Sequence, residues 1–427
     1  MSFDLDTIRA QFPALAITDE NVPRIYFDNP AGTQVPSGVV DAVRRCLVET
    51  NANVQGGFAT SMAADAIVSG VHEAMADMLN AASPDEIVFG QNMTTLTLDR
   101  SRSIGRTLRK GDVIVLSRMD HDANVAPWLL LARDLELEVR WLPFNTDTYE
   151  FDSDALDNVL SDRTRLVCVG AASNLIGTIN DVKSMCSKAR AAGALTFIDA
   201  VQAVPHIPID VQDIGCDFLA CSAYKFFGPH QGILWGRHEL LASLEPYKVR
   251  PAPDTVPGCF ETGTQSHEGM AGTTAAVDYF AWVGETMAGD RVKAPDDSRN
   301  RTRDVHAALD CLFEYETTLA EHLVGGLQEL PGARVRGITG SEAMHRRVPT
   351  VAFTVEGAAP DVMAAELAAR NIFVWSGHNY AVEAARHMGI YDAGGAVRIG
   401  PVHYNSPAEI DTLLNALEDI IPRARVA

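Results

Sequence analysis

The chain has 427 residues, enough for two domains or one large core with an attached lobe, and 47% are hydrophobic, which argues against a disordered chain. Its formal charge is -21, from 56 Asp and Glu against 35 Lys and Arg; that balance repels phosphate backbones and anionic lipid, so neither nucleic acid nor a membrane is an expected partner. The seven cysteines are odd in number and form no CxxC pair, which argues for a reduced compartment; no metal site is expected.

The opening MSFDLDTIRAQFPAL carries acidic residues where a signal peptide has basic ones, and no run reaches 18 apolar residues, so the expected location is cytoplasmic. A short helix is predicted around residues 6–12. Strand-like apolar runs then fall at residues 86–89, 112–116, 136–142, 164–170, 195–198, 218–221 and 232–235. Helical stretches of crossover length lie between several of them, at residues 95–108, 123–133 and 182–192. The run from Leu166 to Ala171 is apolar without alternation, the pattern of a central strand buried on both faces.

Near Gly284 the character changes. A polar stretch at residues 293–304 leads into a long helical pattern at 305–330. A strand at 348–355, a helix at 360–369 and strand-like pieces at 372–375 and 396–399 follow. A closing helix runs from Pro407 to about Ile420, with Ser406 and Glu409 spaced as a capping box. The expected fold class is α/β: a large domain at residues 21–283 on a mostly parallel seven-stranded sheet between helices, and a smaller α/β domain from residues 1–20 and 284–427.

Chemistry-bearing residues cluster after the predicted strands. Lys225 follows an apolar strand and a small-residue turn, Ser222-Ala223-Tyr224, and is followed by Phe226-Phe227. Desolvation there lowers an ammonium pKa, and a neutral amine attacks an aldehyde to form a Schiff base. A lysine with a buried stem and a solvated head fits the same segment. Asp199 ends the run Leu195-Thr196-Phe197-Ile198, where ligands of open α/β sheets bind; it fits a partner for a pyridine nitrogen and equally a helix N-cap. Gly90-Gln91-Asn92-Met93-Thr94-Thr95 links a strand to a helix and offers backbone N–H groups and two hydroxyls to an anion, or only a cap. Ser222 and Tyr224 are within reach of the same anion. His121 and Asn174, each after a strand, fit a ring-stacking group and a ring-oxygen partner, or a surface histidine and a turn residue.

Taken together, Asp199, Gln202, Ser222-Ala223-Tyr224-Lys225, Asp120-His121 and Ser173-Asn174 resemble the class V aminotransferases, fold-type-I pyridoxal phosphate (PLP) enzymes that include cysteine desulfurases and selenocysteine lyases. The resemblance runs from Tyr26-Phe27-Asp28-Asn29-Pro30 to Val397-Arg398-Ile399-Gly400. It implies that Lys225 carries the cofactor and moves protons, that Asp199 binds the pyridine nitrogen, and that Gln202 and Asn174 face the ring oxygen while His121 stacks on the ring. It further implies that Thr94, Thr95 and Ser222 hold the phosphate, with Tyr224 where relatives often have histidine. A homodimer is implied, with Thr264 of the Phe260–Gln265 loop reaching the neighbour's phosphate. Arg398 matches the arginine that grips the substrate carboxylate with its planar fork, and Asn29 and His378 join it on the substrate side.

The pattern breaks at Trp375-Ser376-Gly377-His378-Asn379-Tyr380. Tyr380 falls where desulfurases carry the sulfur-accepting cysteine, and Trp375 where they commonly carry arginine. Cys259, just before the Thr264 loop, is the other thiol considered, and free cysteines are mostly small buried hydrophobes. The expected activity is a PLP-dependent β-eliminating lyase on a small amino acid, with Lys225, His121 and Tyr380 as catalytic groups and Tyr380 or His378 protonating the leaving group. Transamination or epimerisation, and a non-catalytic accessory role, are the alternatives.

Overall fold

The computed structural model describes residues 3–287, 289 and 300–425; residues 293–299 of the expected polar stretch lie outside them. The large sheet is built from β1 (Ile87–Gly90), β2 (Val113–Ser117), β3 (Glu138–Leu142), β4 (Thr164–Gly170), β5 (Leu195–Asp199), β6 (Phe218–Ser222) and β7 (Gly232–Gly236). Their spatial order is β1-β7-β6-β5-β4-β2-β3. β7 runs antiparallel to both neighbours, and the other paired strands are parallel. Every expected strand of this sheet is present, within two residues at each end.

Both faces of the sheet are covered, which is why these strands do not alternate in polarity. Val115, Val167, Ile198 and Leu219 pack on one side, in a cluster with Val71, Met75, Met185, Val277 and Phe280. These come from α2 (Ala59–Leu79), the helix Val182–Ala191 and the helix His267–Met287. Their neighbours in sequence, Ile114, Leu166, Phe197 and Phe218, pack on the other side with Leu96, Ile104, Trp128 and Leu131, from α3 (Met93–Gly105) and α4 (Ala126–Leu135). The helix α1 (Ser37–Glu49), α2 and His267–Met287 were not expected from the sequence; the last is rich in alanine, glycine and threonine and has little amphipathic contrast. We label Val182–Ala191 α5 and His267–Met287 α6.

Helix α7 (Asn300–Glu329) starts five residues before the expected 305. Its polar first turns are compatible with a helix because Arg301 pairs with Asp77 of α2 at 2.7 Å. A second sheet, β8 (Ala333–Arg336), β9 (Val351–Val355), β10 (Trp375–Gly377) and β11 (Ala396–Ile399), is antiparallel in the order β8-β9-β11-β10. The expected run 372–375 divides here: Ile372 and Phe373 pair in parallel with Ile25 and Tyr26, and Trp375 opens β10. Helix α8 (Pro407–Ala424) closes the chain behind the capping box of Ser406 and Glu409. No described helix is long and apolar enough to cross a membrane.

Strand β7 presses against the start of α3, which places that helix over the carboxyl edge of the sheet. At Gly232 an added Cβ would lie 2.5 Å from the Asn92 backbone, and Asn92 caps α3. Gly232→Ala is therefore expected to cost about 1–3 kcal/mol through overpacking, read as a lower thermal midpoint; an unchanged midpoint would show that the approach is loose.

Candidate active site

The parallel strands deliver their chemistry to one edge, as open α/β sheets do. Lys225 lies in the single turn Ala223–Lys225 after β6. Its Nζ donates to Pro30 O at 2.5 Å and Ala31 O at 3.0 Å. Burial, reinforced by the Arg398 charge, brings this amine down to about 7 against the opposing pull of Asp199 and Asp28. Asp199 ends β5, is buried, and accepts Val201 N–H at 2.9 Å; burial pushes its carboxyl up to about 6.

After β2 come Asp120 and His121. Asp120 is pushed up to about 7 by burial and by Asp199, and it accepts from Gly170 N at 2.9 Å and Asn124 Nδ2 at 2.7 Å. His121 is pulled down to about 3 by burial, then by the Lys225 and Arg398 charges, so its imidazole is neutral at physiological pH. Its Nδ1 accepts Ala123 N–H at 3.0 Å, which leaves the ring proton on Nε2. One face of the ring stacks on Tyr380, centroids 5.5 Å apart at 21°. Tyr380 also accepts Asp122 N–H through its backbone carbonyl at 2.7 Å, and its own N–H donates to His378 Nδ1 at 3.1 Å.

Arg398 on β11 is buried and donates through Nη1 to Asn174 O at 2.8 Å. Asn174 Nδ2 donates to Asn379 O at 2.8 Å, tying the loop after β4 to the Tyr380 loop. At the start of α3, Met93 N–H donates to Ser222 Oγ at 2.9 Å, so the hydroxyl proton of Ser222 is free to turn to an anion. Thr94 and Thr95 are exposed beside it, and Thr95 completes the capping box with Asn92. Tyr224 stacks on His230 at 4.9 Å. Gln202 is buried, with Nε2 donating to Thr350 Oγ1 at 2.9 Å.

Most of the expected residues thus meet around the carboxyl edge. Thr264 sits on an exposed loop. Asn29 is committed elsewhere: its Nδ2 donates to Tyr26 O and Gly400 O, and its Oδ1 accepts from Tyr404. Its amide protons are thus spent on backbone carbonyls, and Oδ1 keeps one lone pair beside the Tyr404 bond. Two acids went unassigned by sequence reasoning. Asp28 lies near Lys225 and Arg398 with its carboxyl raised by burial, and Asp120 stands next to His121. Asp28 lay inside the Tyr26-Phe27-Asp28-Asn29-Pro30 stretch, which was the available signal.

Three buried polar atoms around this edge lack a protein partner: Asp28 Oδ1, Asn174 Oδ1 and Arg398 Nε. Unmet buried groups cost about 1–3 kcal/mol each, so their convergence marks room for a polar ligand. The set fits PLP: an amine near neutrality for the aldehyde, a buried carboxyl for the pyridine nitrogen, and a helix start with hydroxyls for the phosphate. Asn174 Nδ2 spends one proton on Asn379 O and keeps the second for a ligand oxygen.

Comparison with known proteins agrees. The family model described as Aminotransferase class-V matches residues 25–294 and 307–413. A cysteine desulfurase of Pectobacterium atrosepticum is 31% identical over 98% of both chains, and one of Yersinia pestis is 30% identical over 98% of this chain and 99% of its own. Among solved structures, the cysteine desulfurase CsdA of Escherichia coli superposes with a TM-score of 0.82 at 26% identity, covering 99% of this chain and 100% of its own. The cysteine desulfurase of Thermococcus onnurineus gives 0.84 at 27%, covering 98% of each.

With an amine near 7, covalent capture of added PLP, trapped by borohydride and read by intact mass, should rise with pH through 7 and level off above it, since only the neutral amine attacks. Lys225→Ala should give no adduct at that position. A rise centred near 10 would show that the amine is not desolvated.

Proposed function

Because the chain belongs to the class V aminotransferases, with cysteine desulfurases among its relatives, and is therefore a PLP-dependent enzyme, we propose that it catalyses carbon–sulfur β-elimination from a small amino acid without a persulfide relay. The observation that carries this is Tyr380, whose ring lies on His121 at the mouth of the site. A phenol holds and gives protons but cannot carry a persulfide. Six of the seven cysteines are buried and Cys311 is partly buried. Cys259 packs in the core behind α3, with its thiol raised by burial.

In this proposal Asp199 holds the ring nitrogen and Asn174 donates to the ring oxygen, while Gln202, its two amide protons spent on Thr350 and His206, faces the ring only through the acceptor Oε1. Ser222, Thr94, Thr95 and Tyr224 hold the phosphate, with Thr264 of a second subunit completing it. When bound, PLP supplies the electron sink that makes an α-proton removable. The Arg398 guanidinium binds the substrate carboxylate; burial lowers it only to about 10, so it stays charged at neutral pH. Lys225 Nζ, near 7, takes the α-proton. Neutral His121 supports the ring face without adding charge, and the Tyr380 hydroxyl gives a proton to the departing sulfur. The same proposal covers a homodimer in the cytoplasm and the division into residues 21–283 and 1–20 with 284–427.

The purified holoenzyme is expected to release pyruvate from cysteine, cystine or substituted cysteines without persulfide on the protein. Tyr380→Phe should lower turnover about a hundredfold or more, the usual range for a lost acid, while the cofactor stays bound by absorbance. Stoichiometric keto acid with pyridoxamine phosphate would replace elimination by transamination, and persulfide on any cysteine would overturn the proposal.

A further inference from the structure

The second sheet carries a row of residues that leads to the carboxylate clamp. Register pairs Ala352 with Arg398, and Arg398 with Trp375. Directly paired residues of an antiparallel sheet project from the same face. Packing identifies that face. Ala352 and Ala396 cluster with Met119, Leu175 and Ile176, from the loops at the carboxyl edge of the large sheet. Val397 and Ile399 cluster instead with Leu413 and Leu417 of α8. Trp375 therefore points to the same side as Arg398, one strand farther out, and it is 53% exposed.

A second aromatic closes the angle. Tyr380 is 68% exposed, and its backbone is left-handed at φ 58°, next to Asn379 at 51°. A bulky residue at positive φ is an outlier, and such strain collects at functional sites. The conformation lays the ring on His121, with His378 edge-on at 6.2 Å and itself stacked on Tyr391 at 5.5 Å. Glu383, which flanks this loop, is engaged with Arg118 at 2.5 Å and Arg386 at 3.1 Å. An amino acid held by Arg398 thus extends its side chain toward aromatic faces.

We propose that Trp375 and Tyr380 form the side-chain subsite, and that the preferred substrate is a cysteine whose sulfur bears an apolar or aromatic substituent. This substrate class rests on the elimination reading; the subsite does not. Lys225 removes the α-proton, the Cβ–S bond breaks with its electron pair on sulfur, and the thiolate takes a proton. Water completes the balance: the S-substituted cysteine plus water gives the free thiol, pyruvate and ammonium, with no oxidant or reductant consumed.

The two claims separate by titrating the holoenzyme and following the cofactor absorbance with S-benzylcysteine, cysteine, alanine and phenylalanine, the last having no leaving group. Phenylalanine should bind about tenfold tighter than alanine, the discrimination an apolar pocket supplies. Trp375→Ala should reduce that ratio to about threefold or less, and Trp375→Phe should keep most of it. Equal binding of phenylalanine and alanine by the wild type overturns the subsite, whatever products form. A preserved aromatic preference with no pyruvate and benzyl thiol from S-benzylcysteine leaves the subsite standing and overturns the elimination and the substrate class.

Discussion

An amine kept short of its proton is the constraint on which the rest of the site depends. Lys225 would be protonated in water, and only its surroundings bring it near neutrality. Its acceptors, Pro30 O and Ala31 O, belong to an irregular segment that no helix or long strand holds. That segment is fixed by a knot of backbone contacts. Asp28 bridges to Gly400, Gly400 N–H donates to Phe27 O at 2.7 Å, and Asn29 binds carbonyls on both sides. At Gly400 a side chain would strike the Pro30 ring. Gly400 follows directly on Ile399, the last residue of the Arg398 strand, so the lysine's acceptors and Arg398 are anchored to one another.

Behind Gln202 lies a buried polar chain that reaches across the molecule. Gln202 Nε2 is 3.3 Å from His206 Nε2, His206 Nδ1 is 2.7 Å from Glu316, Glu316 accepts His403 N–H at 2.9 Å, and His403 Nε2 is 2.8 Å from the Tyr279 hydroxyl. An amide N–H facing Nε2 requires an acceptor there, which puts the imidazole proton on Nδ1, donated to the carboxylate. Burial works against the Glu316 charge, yet His206 and His403 hold its carboxyl below the usual value. Charges this deep persist only when fully paired. The chain joins the loop after β5 to α7, to the turn before α8 and to α6, so the orientation of Gln202 is set by four separated parts of the sequence.

The strands were legible because a sheet covered on both faces writes continuous apolar runs, as in Leu166-Val167-Cys168-Val169. Helices such as α6 were not, because small residues such as Gly272 and Gly284 pack closely whatever their periodicity; a Cβ at Gly284 would collide with Asp304 O of α7. Lys225, Asp199 and His121 were readable from their places after strands. The commitment of Asn29 to backbone was not, since its partners Gly400 and Tyr404 lie more than 370 residues away in sequence. Nor was the row from Ala352 to Trp375, because strand register cannot be inferred from a three-residue edge strand.

The ionisable groups at the heart of the site are displaced in the same sense, each toward its neutral form: Lys225, Arg398 and His121 downward, Asp199, Asp120 and Asp28 upward, all chiefly by burial. A ligand that brings its own charges reverses this. In the proposed arrangement a protonated ring nitrogen would restore the Asp199 carboxylate, and a substrate carboxylate would secure the Arg398 cation. Asp120, which spends its oxygens on Gly170 N–H and Asn124, is held up near 7 by burial and by that Asp199 charge. The net -21 of the whole chain has little bearing on this balance. Charge inside the site is decided by a few buried partners, so a strongly acidic protein can hold an anionic cofactor and an anionic substrate in one pocket.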